Sequence, residues 1–234
     1  VTLGLEQIAG VAHEPVGTPA GVVVLTHGAG GNRESVMLQR LCDEWARRGF
    51  LAVRYDLPFR RQRPKGPPSR SGTGDRVGIV EAVAVCRGLA DGPLIAGGHS
   101  YGGRMTSMVV AAEEANVDVL TLFSYPLHPP GNRRRPPPPA AGAPASSLRS
   151  ASSPAGRPAF ARAQHLPDIA VPTVFTHGTS DPFGSPDEVR AAAALIAAPT
   201  RIVEITGARH DLGSATLDVP GLAVAATLGL LGRD

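Results

Sequence analysis

Short apolar runs alternate with longer amphipathic stretches along most of this chain. Gly21–Thr26 (GVVVLT) is continuously apolar and closed by His-Gly, the pattern of a strand buried on both faces. Glu34–Arg48 places Val36, Leu38, Leu41, Cys42 and Trp45 near helical spacing, with Gly49 as its stop. Strand-like runs recur at Phe50–Tyr55, Leu94–Gly97, Val117–Phe123, Val171–Thr176 and Arg201–Ile205. Helical patterns recur at Asp75–Ala90, Tyr101–Ala112, Pro186–Ala198 and Val219–Leu231. Strand–helix alternation around fully apolar strands predicts an α/β fold, a doubly wound and mostly parallel sheet with helices on both faces. No internal repeat is evident, and 234 residues are enough for one large domain, 1–234.

One stretch breaks the rhythm. Residues 131–162 (GNRRRPPPPAAGAPASSLRSASSPAGRPAFAR) are Pro, Ser, Ala and Arg with almost nothing to bury, so they are expected to form a disordered insertion. A lid, a site for a protein partner and an unconstrained surface loop all fit that composition.

The formal net charge of +3 changes meaning once this stretch is considered. Residues 126–167 hold six Arg and no Asp or Glu, so the rest of the chain carries −3. The basicity belongs to loops, of which PFRRQRPKGPPSR at 58–70 is the other, and not to a nucleic-acid face. Binding of nucleic acid through Arg60, Arg61, Arg63 and Arg133–Arg135 is the weakest of the functional readings, and aromatics at 4% offer few stacking platforms. No run of 18 apolar residues marks a membrane span, and the first residues, VTLGLEQIAG, lack the basic and apolar regions of a secretory signal. Cys42 and Cys86 lie in helical patterns without a C-x-x-C partner, which suits reduced, buried thiols in the cytoplasm.

In a parallel α/β sheet, ligands bind beyond the carboxyl ends of the strands. Leu94–Gly97 is followed by Gly98-His99-Ser100-Tyr101-Gly102, a G-x-S-x-G pentapeptide between a strand and a helix. In such an elbow a sharp turn projects the Ser hydroxyl and offers the next residue's N–H. The pentapeptide alone is a weak signal in a chain with 28 Gly. A serine nucleophile also needs a base, and the base an orienting carboxylate, in the chain order Ser, acid, His. Asp181 follows the Val171–Thr176 strand and His210 follows Arg201–Ile205, so both fall at strand ends in that order. Alone, Asp181 can also be read as a turn residue before Pro182 and His210 as a loop His; jointly with Ser100 they read as a triad. Asp187 and Asp211 are the fallback acids, the first suited to a helix's first turn and the second adjoining the His itself.

An oxyanion needs N–H donors. Tyr101 supplies one, and Ala29 or Gly30, in the Gly-rich loop His27–Asn32, supplies the other. That loop matches neither phosphate-binding fingerprint, G-x-x-x-x-G-K-[ST] or G-x-G-x-x-G. His27 and His99 flank these loops and are expected to bond the local backbone, whereas His13, His128 and His165 have no partner spacing. The seven His include neither H-x-x-x-H nor H-E-x-x-H, so no metal is expected. Arg60 and Arg61, beyond the Phe50–Tyr55 strand, and Tyr125 and His128, beyond Val117–Phe123, are candidates for substrate contact, the arginines favouring anionic acyl groups.

With THGAGGN at 26–32, GGHSYGGR at 97–104, THGTSDPFG at 176–184 and GARHDL at 207–212, the sequence resembles the α/β-hydrolase superfamily over essentially its whole length. DLPFRRQRPKGPP at 56–68 and SYPLHPPG at 124–131 resemble a dienelactone-hydrolase-like branch. That branch includes testis-expressed protein thirty and subunit three of the NSL histone-acetyltransferase complex. The resemblance implies a serine hydrolase of a small ester, lactone, thioester or similar acyl compound, with Ser100 as nucleophile, Asp181 as acid, His210 as base and no cofactor. The NSL subunit suggests the alternative, a non-catalytic interaction module with a protein partner on 131–162. Relatives of this branch run more directly from Pro-Leu-His-Pro-Pro-Gly to the following His-Leu-Pro, and the short N-terminal stretch implies that an early antiparallel strand is reduced or missing.

Overall fold

The computed structural model describes residues 2–129 and 162–233, so the insertion expected at 131–162 lies outside the described residues but for Arg162. Among the described residues, seven strands form one sheet in the order β1-β3-β2-β4-β5-β6-β7. They are β1 (Gly10–His13), β2 (Val22–Thr26), β3 (Leu51–Tyr55), β4 (Leu94–His99), β5 (Val119–Phe123), β6 (Thr173–Gly178) and β7 (Thr200–Ile205). Every pairing is parallel except β1 with β3. An early antiparallel strand is therefore present, though only four residues long. A short GVAH segment, half-buried throughout, is below what periodicity resolves.

The continuous apolar strands are explained by two-sided burial. Val22 and Val24 face one core with Leu94, Ala96, Leu120 and Leu122, while Val23 and Leu25 face another with Trp45, Phe50, Ile95 and Phe123. Side chains alternate across a strand, so only an unbroken apolar run supplies both cores. The second core is covered by α2 (Val36–Arg47) and α7 (Val219–Leu230). The first is covered by α1 (Thr2–Gln7), α4 (Thr73–Arg87), α5 (Tyr101–Ala111) and α6 (Pro186–Ala193). A five-residue helix, α3 (Pro58–Gln62), follows β3 where only a basic loop was expected; Pro58 at its first turn suits a helix start. α6 ends at Ala193, five residues short of the helix predicted there.

Parallel pairing brings the carboxyl ends of β2, β3, β4, β6 and β7 to a common edge. Among the described residues, no helix is long and apolar enough to cross a membrane. Cys42 and Cys86 are buried and unpaired, and burial pushes both thiols up to about 12, so they stay protonated and inert.

Candidate active site

Ser100 lies between β4 and α5 at φ 50 and ψ −113, a backbone conformation that L-residues rarely adopt. Its N–H donates to the Phe123 carbonyl at 2.8 Å, and its own carbonyl accepts the first helical bond from Arg104 at 2.9 Å. The turn is possible because its flanking glycines touch backbone. A Cβ on Gly98 would stand 2.7 Å from the Thr26 carbonyl oxygen, and one on Gly102 would collide with the His27 carbonyl. Gly102→Ala is accordingly expected to destabilise the fold by about 2–4 kcal/mol, comparable to a severe overpacking. A chemical-denaturation midpoint measures it.

The three side chains predicted from strand ends meet there. His210 Nε2 lies 2.8 Å from Ser100 Oγ, and His210 Nδ1 lies 2.8 Å from Asp181 Oδ2. The other Asp181 oxygen accepts the Phe183 N–H at 2.8 Å. Burial works against charging Asp181. The bonds from His210 and Phe183, with the charges of His210 and His177, outweigh it and hold the carboxyl below its ordinary range. A carboxylate on Nδ1 puts the ring proton there, leaving Nε2 to accept from the hydroxyl. Asp187 is exposed in the first turn of α6 and pairs with Arg190, and Asp211 is exposed beside Gly213. Neither takes the place of Asp181.

Two aromatic rings flank the imidazole. Phe183 lies 4.1 Å from it, centroid to centroid, and His99 5.1 Å. Neither was singled out as a site residue, although both lie within the motifs that were. His99 Nε2 donates to the His210 carbonyl at 2.7 Å, so the residue preceding the serine clamps the loop that carries the histidine. The bond expected for His99 was local; this one spans the fold. Burial, with His210 close by, lowers His99 to about 4. The unfolded chain therefore binds a proton that the folded protein refuses between pH 6.5 and about 4. The His99 contribution to stability should fall across that window as pH decreases, by up to about 3 kcal/mol, and change no further below it. His99→Gln should flatten this limb in urea titrations at pH 7, 5.5 and 4; an unchanged slope counts against the neutral clamp.

The Gly-rich loop after β2 closes on itself through Gly31 N–H to the Gly28 carbonyl at 3.1 Å. Gly28 comes so near the elbow that a Cβ there would stand 3.4 Å from the Ser100 Cβ. Ala29 and Gly30, with Arg60, Pro64, Lys65, Gly66 and Pro67, line an open groove of about 420 Å³. A larger cleft of about 610 Å³ opens between α2 and the 211–220 segment, with Val36, Met37, Leu212 and Leu217 among its walls. His27, as expected, bonds nearby backbone, the Gly28 carbonyl at 2.8 Å, and also accepts the Leu57 N–H at 3.2 Å.

The four side chains expected to contact substrate are placed differently from one another. Arg60 borders the groove, but all five of its N–H groups reach backbone carbonyls. None remains for an anionic acyl group. Arg61 is engaged by the Gln7 carbonyl and Glu81. Tyr125 is buried in the α5 core with its hydroxyl donating to the Arg162 carbonyl at 2.8 Å. His128 lies 3.3 Å from Glu188, and its backbone N–H reaches the Phe183 carbonyl at 3.2 Å. His13 and His165 also have partners that sequence spacing hid, Asp43 and Ser107, each at 2.7 Å. Among the described residues, no three His, Cys, Asp or Glu side chains gather as a metal site would require.

A mostly parallel sheet with a serine elbow at one strand end, and an acid and a histidine at two later ones, defines an α/β-hydrolase. The family described as an alpha/beta hydrolase domain matches residues 19–137 and 152–218, and the chain belongs to it. The match passes over residues 138–151, inside the Pro/Arg tract. Comparison with curated proteins found no match. Among solved structures, the chain is similar to dienelactone hydrolase from Anabaena variabilis, at 17% identity and TM-score 0.64 over 95% of this chain and 88% of that one. Est1E from Butyrivibrio proteoclasticus, solved with ferulic acid bound, gives 15% and 0.67 over 96% and 94%. An α/β serine hydrolase without a lid from Xanthomonas campestris gives 16% and 0.62 over 93% and 86%. At such identities the likeness is one of fold.

Proposed function

We propose that this chain, as a single domain 1–234, hydrolyses a small carboxylic ester, lactone, thioester or related acyl compound through an acyl-enzyme. The observation that carries the reading is the unbroken relay from Ser100 through His210 to Asp181, with both bonds at 2.8 Å. Ser100 Oγ attacks the carbonyl carbon while His210 Nε2 takes its proton and Asp181 holds the resulting imidazolium. The tetrahedral oxyanion is received by the Tyr101 N–H and an N–H of the Ala29–Gly30 segment. His210 then returns the proton to the leaving group, and a water activated by the same nitrogen releases the acid. No cofactor takes part in this sequence of steps. The likeness to a dienelactone hydrolase, and to Est1E with ferulic acid bound, supports an acyl substrate of modest size. Two buried, unpaired cysteines suit a cytoplasmic setting.

A fluorophosphonate probe tests the reading directly. It should label the wild-type protein on the peptide containing Ser100 and leave Ser100→Ala unmodified. Folded wild-type protein that resists labelling would overturn the hydrolase mechanism and favour the interaction module.

A further inference from the structure

Arg60 is a buried cation held entirely by backbone, with no carboxylate among its hydrogen-bond partners. A guanidinium has five N–H donors in a fixed fork. Here Nε donates to the Gly31 carbonyl at 2.8 Å, and Nη2 to Ala29 at 2.9 Å and Gly66 at 3.4 Å. Nη1 donates to Pro64 at 2.7 Å and Arg63 at 3.4 Å. The Phe59 ring lies beneath, 4.8 Å from the guanidinium carbon. Two of these bonds grip the loop that Gly28 brings against Ser100. Among the described residues every peptide bond is trans, so a carbonyl and the next N–H point in opposite directions. Holding the Ala29 carbonyl on Arg60 thereby fixes the direction of the Gly30 N–H, and the cation reinforces that peptide's dipole.

A second contact joins this clasp to the elbow. Asp75, buried at the start of α4, accepts the Phe59 N–H at 2.9 Å with one oxygen and the Tyr101 hydroxyl at 2.6 Å with the other. Phe59 and Arg60 are adjacent on α3, and the Phe59 and Tyr101 rings meet edge to face at 5.9 Å. One carboxylate therefore ties the helix that grips the Gly-rich loop to the residue that follows the serine.

We propose that Arg60 and Asp75 are positioning residues which jointly set the direction and spacing of two oxyanion donors, the N–H presented by the Ala29–Gly30 segment and the Tyr101 N–H. The inference rests on the reading of Ser100 as the nucleophile.

The test compares Arg60→Gln, Asp75→Asn, the double variant and Tyr101→Phe on a p-nitrophenyl ester. Arg60→Gln is expected to lower kcat about tenfold to a hundredfold with KM little changed, less than complete loss of a donor because the peptide is loosened and not deleted. Affinity for an aryl trifluoromethyl ketone, which forms an oxyanion on the serine, should fall in proportion to kcat/KM. Affinity for the carboxylic acid product should not. Tyr101→Phe, which breaks only the link to Asp75, should reproduce part of the Asp75→Asn loss, and the double variant should lose less than the product of the singles. Arg60→Lys, with the charge kept, should recover part of the rate and covers the case in which Arg60→Gln fails to fold.

Unchanged kcat in the single variants overturns the proposal. So does a loss that follows the thermal midpoint while the ratio of ketone to product affinity stays constant, because a merely structural role predicts that. Wild-type protein without Ser100-dependent turnover overturns the hydrolase reading and this inference with it, a result the variants alone do not produce.

Discussion

Replacing Ser100 by Ala is expected to remove turnover, with kcat falling on the order of 10⁵–10⁶-fold while the protein stays folded. The hydroxyl is the one atom in the relay that can form the acyl bond. His210 Nε2, left without its 2.8 Å partner, has only water to act on. The fold should tolerate the change because Ala keeps the Cβ, and the strained φ of 50 is already imposed by the Phe123 and Arg104 backbone bonds. A p-nitrophenyl ester time course and a thermal melt separate the two quantities. Residual activity near wild type would mean that another group carries the chemistry.

Asp181→Asn is expected to lower kcat about 10⁴-fold at neutral pH with little change in KM. The carboxylate accepts from two donors, the His210 Nδ1–H and the Phe183 N–H. An Asn can meet Phe183 with its oxygen only by turning its NH₂ toward His210. Nδ1 then becomes the acceptor and Nε2 carries the proton, which leaves it unable to take one from Ser100. The same variant tests the linkage to stability. Asp181 titrates below its ordinary 3.8 in the folded protein, so its contribution is complete above that value and is lost as pH falls through the folded value. The Asn variant should be less stable than wild type at pH 7, and the gap should close in strong acid. A gap that persists unchanged at pH 2, by urea denaturation, would show that the charge is not its source.

Most of the architecture, and the meeting of Ser100, Asp181 and His210, were legible in the chain because both follow from short-range pattern and strand order. Two-sided burial demands unbroken apolar strands such as Val22–Thr26, and the elbow demands small residues beside Ser100. Asp181 and His210 were reached by the order of strand ends, a topological rule. Elements near the length of a single turn, α1, β1 and α3, escaped because four to six residues carry too little periodicity. Arg60 was read as a contact for anionic acyl groups because its loop follows the carboxyl end of a strand, where ligands bind. Its saturation by five carbonyls depends on the Gly28–Gly31 and Arg63–Gly66 segments folding back around it.

What the sequence by itself determined is the set of groups and the edge of the sheet at which each one emerges. Alternating burial and turn chemistry act over a few residues and need no knowledge of distant neighbours. Only the tertiary structure decided which of those groups touch. His99 reaches a carbonyl 111 residues away, and Asp75 meets a hydroxyl 26 residues on. Such bonds are set by how helices and loops settle on the sheet, and long-range distances of that kind leave no periodic trace along the chain.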